Sequence, residues 1–150
     1  LFNSYIQPII VMLVIPLGFG GAILGHLILG FPIMIFSVFG MVGLTGIVVN
    51  DALVLVDFIN RKRRLGASAR KAAAIAGRMR FRAVFLTTAT TIMGLLPLLT
   101  ETSLQAQVLI PLVTSIAFGL MAATVLILFL LPALYTIFDD FGLTARIEVA

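Results

Sequence analysis

Apolar residues run along this chain in four long stretches, separated by three short or polar connections. A membrane-spanning helix needs about 20 mostly apolar residues. Each stretch meets that length, so the pattern predicts spans at about 6–29, 33–59, 83–99 and 108–137. The first stretch carries Pro8, Pro16, Gly18, Gly20, Gly21 and Gly25. Such residues are tolerated in membrane helices, where neighbouring helices satisfy freed backbone groups. Gly30-Phe31-Pro32 predicts the turn into the second span, which, like the fourth, is longer than one bilayer requires. The last connection, Thr100 to Gln107, is polar and holds Glu101 but no base.

Composition removes the soluble alternatives. Of the 150 residues 61% are hydrophobic and 11% charged, with a mean hydropathy of +1.22. A soluble domain runs about 45–50% apolar with about 25% charged. Disordered chains are poorer still in apolar residues. The bilayer is the remaining solvent. Cysteine is absent and His26 is the single histidine. A disulfide framework, a thiolate or histidine-based metal site and a His-dependent triad are therefore not expected. No phosphate-cradling loop or catalytic constellation stands out, so neither enzyme activity nor a cofactor or metal is expected. Leu1-Phe2-Asn3-Ser4-Tyr5 has no leading Met and no basic region ahead of an apolar run. This does not read as a signal peptide, and the chain is expected to be cut from a longer one.

Charge then sets a direction. Nine of the ten Lys and Arg lie between Arg61 and Arg82, a segment with no acid. The remainder holds Arg146 and all six acids. A dense basic block can mark nucleic-acid binding. Between long apolar runs it reads instead as a cytoplasmic loop over 60–82, under the positive-inside rule. No nucleic-acid partner is expected. Four spans then bring both termini to the cytoplasmic side, with which Arg146 agrees. Within the loop, Ala72, Ile75, Ala76 and Met79 follow the spacing of one helical face, and Ser68 is a candidate N-cap. A short amphipathic helix from Ala69 to Arg80 is expected along the cytoplasmic surface, its bases toward anionic headgroups. The expected fold class is an all-α membrane protein of four transmembrane helices with this cytoplasmic connecting helix, surrounded by membrane lipid.

Ionisable groups within a span are costly and point to function. The second span has two, Asp51 and Asp57. Asp57 lies near the expected exit, where Arg61 or Lys62 can pair with it. Asp51 lies six residues further in, about 9 Å deeper at the helical rise. An Asp at mid-helix costs about 2.5–3.5 kcal/mol to insert, so it should face protein or water. Asn50 adjoins it. Gly40, Gly43 and Gly46 recur every third residue and would admit a close helix neighbour. The third span offers Thr87, Thr88, Thr90 and Thr91. Thr87 lies five residues inside, roughly 7 Å deep, with Thr91 one turn further. Two readings stand open: a threonine hydroxyl donates to the Asp51 carboxylate, or it bonds back to its own helix. A carboxylate that alternates between charged and neutral forms can relay protons. It can equally be a buried structural group. His26 is expected at the interface, and the Phe residues in lipid-facing positions.

The segment Gly46 to Asn60, GIVVNDALVLVDFIN, resembles the tenth transmembrane helix of resistance-nodulation-division efflux permeases of the acriflavin-resistance type. Further matches keep the family's order. Ser4-Tyr5-Ile6-Gln7-Pro8 resembles the end of the eighth helix, and Ile15-Pro16-Leu17-Gly18 through Gly25-His26 the ninth. Arg78-Met79-Arg80-Phe81-Arg82, Thr87-Thr88 and Gly94-Leu95-Leu96-Pro97 resemble the eleventh. Glu101 to Ala106 and Phe118-Gly119 through Leu131-Pro132-Ala133 resemble the twelfth and its approach. The resemblance implies a fragment of a proton-driven antiporter that exports hydrophobic or amphiphilic compounds. It implies an inner-membrane homotrimer working with a periplasmic adaptor, an outer-membrane channel and the rest of the permease. By position it assigns the relay to Asn50, Thr87 and Arg80, beside Asp51, with H+ as coupling ion. Asp57 and Thr91 are secondary candidates. At two places the sequence departs from the family pattern. Asn50-Asp51 stands where a Lys-Asn pair is usual, and Ala83 where proline is common. The fourth-helix aspartates and the porter domains are expected outside these residues. Two other classes fit the residues alone: a membrane scaffold or assembly module whose Asp51 and glycines only pack helices, and a small cation channel.

Overall fold

The computed structural model describes residues 5–144. Ser4 and Arg146 lie outside the described residues. The described chain is all-helical: α1 (Ile6–Leu29), α2 (Ile35–Arg64), α3 (Ala69–Leu99) and α4 (Leu104–Asp140). All four are long and apolar enough to cross a membrane.

Local chemistry sets the breaks. Gly30 ends α1 in the left-handed region at φ 72°, with its N–H donated to the His26 carbonyl. Only glycine takes that conformation without a Cβ penalty. Ser37 opens α2 by accepting the Met34 N–H at 3.0 Å. Ser68 caps α3 as expected, accepting the Lys71 N–H at 3.4 Å. Ser103 does the same for α4 with the Ala106 N–H.

The first helix has the expected bounds. The others overrun theirs, α2 by five residues into the basic segment and α4 at both ends. The connecting helix expected over Ala69–Arg80 exists, but as the opening of α3 and not as a separate surface helix. Its bases are good helix formers, and nothing from Ala69 to Leu96 breaks a helix. Its inner face also differs from the expectation. Ala69, Ala72, Ala73 and Ala76 are buried in the shared core, while Met79 is 60% exposed and Ile75 half-buried. Alanines let α3 come close to its neighbours, so the small residues turn inward and the long apolar ones outward. At 31 residues α3 is about 46 Å long, more than the roughly 30 Å hydrocarbon core. Its basic first third therefore extends past the apolar layer unless the helix tilts.

The fourth helix is the hub. It packs on α1, α2 and α3, and α2 also touches α1 and α3, whereas α1 and α3 do not meet. Glycines make the α1–α4 and α2–α4 contacts tight. A Cβ on Gly25 would lie 2.4 Å from the Phe118 ring, and one on Gly40 2.4 Å from the Leu112 carbonyl oxygen. Of the three glycines singled out on α2, Gly40 alone meets another helix. Gly43 and Gly46 face open space within the described residues. The buried core runs through Val14, Leu44, Val48, Leu55, Leu120, Ile127 and Tyr135.

Candidate functional site

The relay candidates converge. A cavity of about 240 Å³ between α2 and α3 is lined by Asn50, Asp51, Val54, Leu55, Arg80, Ala83, Val84 and Thr87. Asn50 and Asp51 come from mid-α2, one turn before Val54 and Leu55. Arg80 and Thr87 sit seven residues apart on α3, hence on one face. All four residues assigned to the relay by sequence thus share one wall-to-wall space. Asp57 and Thr91 do not line it.

The groups in the cavity are loosely held. Asp51 is half-buried. No hydrogen bond or salt bridge engages its carboxylate among the described residues. The Arg80 guanidinium is the charge that acts on it across the cavity. Arg80 rests over the Phe58 ring at 5.8 Å, an attractive cation–π distance. Its Nε is buried without a hydrogen-bond partner. Buried polar groups are nearly always satisfied, and an exception asks for an explanation. Here the exception is a cation beside a free carboxylate.

The threonines take the second of the two readings. Thr87 donates to the Ala83 carbonyl at 2.9 Å and Thr91 to the Thr87 carbonyl at 2.9 Å. Neither hydroxyl reaches Asp51. Thr87 still lines the cavity. Thr88, one residue on, points the other way and pairs with Thr124 of α4 at 2.6 Å. Asp57 pairs with Arg61 at 2.9 Å, one of the two partners expected from the sequence. His26, in the last turn of α1, is buried between helices at 2% exposure. Its Nδ1 faces the Ala22 carbonyl at 2.9 Å, and its Nε2 the Ser37 hydroxyl at 2.8 Å. A carbonyl only accepts, so Nδ1 carries the proton. In the neutral ring Ser37 then donates to Nε2 while accepting the Met34 N–H. His26 thus ties the end of α1 to the start of α2.

A second polar cluster went unread in the sequence. At the basic end, Gln7 and Asn60 exchange two amide hydrogen bonds of 2.9 Å, and Tyr135 donates to the Asn60 oxygen at 2.8 Å. Arg63 continues the cluster. It donates to the Tyr135 hydroxyl at 3.3 Å and to Thr144 at 3.1 Å, and it bridges to Asp139 at 2.9 Å. Thr144 also donates to Asp139. Gln7, Asn60 and Tyr135 are buried. They stand 53 and 75 residues apart in the chain, so no local spacing announces them. The signal available was only a polar residue near one end of each of three helices.

The fold and the cavity define a polytopic membrane protein that keeps a carboxylate and a guanidinium between two of its helices. Residues 1–139 match the model of the AcrB/AcrD/AcrF family, and the chain belongs to that family of resistance-nodulation-division permeases. Among solved structures it is similar to a heavy metal efflux pump, at 30% identity and a TM-score of 0.79. The match covers 89% of this chain and 13% of that pump. The chain therefore spans about an eighth of the length of the solved relative.

Proposed function

We propose that this chain forms half of the proton relay of an efflux permease, with Asp51 as the group that gains and loses the proton. The observation that carries the reading is the cavity shared by Asn50, Asp51, Arg80 and Thr87. A carboxylate without a fixed partner, facing a cation without its full set of acceptors, is suited to change partners with protonation. Charged, it attracts Arg80; neutral, it can donate to Asn50 or accept from Thr87. Each state favours a different spacing of α2 and α3, which links proton movement to helix movement. Membership of the AcrB/AcrD/AcrF family supports the transport reading.

In this reading the chain works within a full-length permease of the bacterial inner membrane. The basic segment over 60–82 and both termini face the cytoplasm. A trimer with a periplasmic adaptor and an outer-membrane channel completes the path. The cargo class is hydrophobic or amphiphilic compounds, as the sequence resemblance implies. The similar solved structure is a heavy metal efflux pump, so metal ions are the competing cargo.

The test is Asp51→Asn in the full-length permease. Efflux driven by a proton gradient should fall to background while the amount of protein in the membrane stays the same. Undiminished efflux would remove Asp51 from the relay. Running the assay with a lipophilic dye and with a soft metal cation separates the two cargo classes.

A further inference from the structure

The face of α3 turned away from the relay cavity carries a different feature. Because α1 and α3 do not touch, a furrow of about 720 Å³ lies between them with α4 as its floor. Its walls are almost wholly apolar, among them Leu24, Phe85, Ala89, Ile92, Met121 and Val125. Nearer the basic end a second hollow of about 440 Å³ continues along the α3–α4 seam, between Ala74, Gly77, Arg78 and Phe81 of α3 and Phe129 and Pro132 of α4. Phe81 lines the second and Phe85 the first. The two rings stack at 5.8 Å and are 49% and 57% exposed.

Charge sits at one end of this furrow only. Lys71, Arg78, Phe85 and Ile92 recur every seventh residue on α3 and so form one stripe, flanked by Arg82 and Ala89. Lys71, Arg78 and Arg82 are exposed, and no acid lies between Asn60 and Arg82 to neutralise them. From Arg78 to Ala89 the helix rises about 16 Å, close to the depth of one leaflet of a roughly 30 Å core. A cationic mouth opening on an apolar channel that reaches at least this depth, on to Ile92, has the polarity and the length to take a phospholipid acyl chain.

We propose that this furrow is a binding site for one anionic phospholipid from the leaflet at the basic end. Its phosphate lies at Arg78, the one base that lines the hollow, with Lys71 about 10 Å toward the basic end and Arg82 about 6 Å inward adding positive potential, and an acyl chain runs over Phe81 and Phe85 toward Ala89. Basic residues beside apolar clefts between membrane helices select anionic headgroups in this way. The site does not depend on the relay reading, since none of its residues lines the Asp51 cavity.

Native mass spectrometry of the full-length permease in detergent, titrated with phosphatidylglycerol and with phosphatidylethanolamine of the same chains, tests this. Phosphatidylglycerol should be retained preferentially. Replacing Lys71, Arg78 and Arg82 together by Gln should weaken its binding by at least about tenfold, as expected when the positive charge around an anionic headgroup is lost. The same charge removed at Arg61, Arg64 and Arg70 should leave it unchanged. Ala89→Trp, which fills the furrow without altering charge, should also displace the lipid. A photoactivatable phosphatidylglycerol should label the α3–α4 seam in the native protein, a readout that needs no variant. Equal retention of the two lipids, equal loss from both charge sets, or labelling confined to other helices would overturn the proposal. Failure of the native protein to retain any lipid, as when another part of the permease covers the furrow, would overturn it too.

Discussion

Two polar clusters in this bundle are built on opposite plans. At the basic end, Gln7, Asn60, Tyr135, Arg63 and Asp139 bind one another through short, mutually saturating contacts across α1, α2 and α4. Between α2 and α3, Asp51 and Arg80 share a cavity without a hydrogen bond between them, and the Arg80 Nε is unmatched. The first cluster spends its hydrogen-bonding capacity on holding three helices in register. The second leaves capacity free at the α2–α3 seam, where Asp51 has no fixed partner among the described residues. A satisfied network resists change, whereas an unsatisfied one has somewhere to go. The same residue types are thus bonded to one another in one place and left unpaired in the other.

The sharpest way to separate the two is to cut each at its centre. Asn60→Ala in the full-length permease takes away the donor to the Gln7 amide oxygen and the acceptor of the Tyr135 O–H, leaving Gln7 Nε2 only its longer bond to Tyr135 at 3.4 Å. Each buried group left unsatisfied costs about 1–3 kcal/mol. Thermal unfolding should shift down accordingly, while any protein that stays folded keeps its coupling to the proton gradient. Asp51→Asn should do the reverse, losing coupling with little change in stability. If Asn60→Ala uncouples transport without loss of stability, the two clusters have been assigned the wrong way round.

Glycine packing supplies the next contrast. Gly40→Val would drive a side chain into the Leu112 carbonyl of α4. Overpacking of this kind costs about 1–3 kcal/mol, read as a lower unfolding temperature. Gly43→Ala has no neighbour to meet within the described residues. It should change stability by less than about 1 kcal/mol, in the favourable direction expected for Gly to Ala in a helix. A large loss at Gly43 would mean that another part of the permease packs there. The smallest effect belongs to the exposed pair. Arg61→Gln removes the contact to Asp57, and surface pairs of this spacing contribute about 0.3–0.5 kcal/mol. A denaturation midpoint indistinguishable from the parent is expected.

Much of this was legible in the sequence because it is written in local pattern. The four apolar stretches gave four helices, and the first has the bounds its run and Gly30 predict. The residues that share the cavity could be picked out because Asp51 is expensive where it sits and because the family resemblance points by position to Asn50, Thr87 and Arg80. Three things were not readable. The basic segment looked like a loop because charge marks where a helix leaves the membrane, not where it stops. The inward face of α3 was missed because hydrophobicity ranks Ile75 and Met79 above Ala73, whereas close packing selects the smaller residue. The Gln7–Asn60–Tyr135 cluster joins residues from three helices, and nothing near any one of them names its partners.

The central claim is that Asp51 takes up and releases a proton in the working protein. Infrared difference spectroscopy of the full-length permease, stepped between alkaline and acidic buffer, reads this directly. The account predicts a protonated-carboxyl C=O band that grows on acidification, is present in the parent and is lost in Asp51→Asn. A spectrum in which Asp51→Asn and the parent show the same carboxyl bands would contradict it.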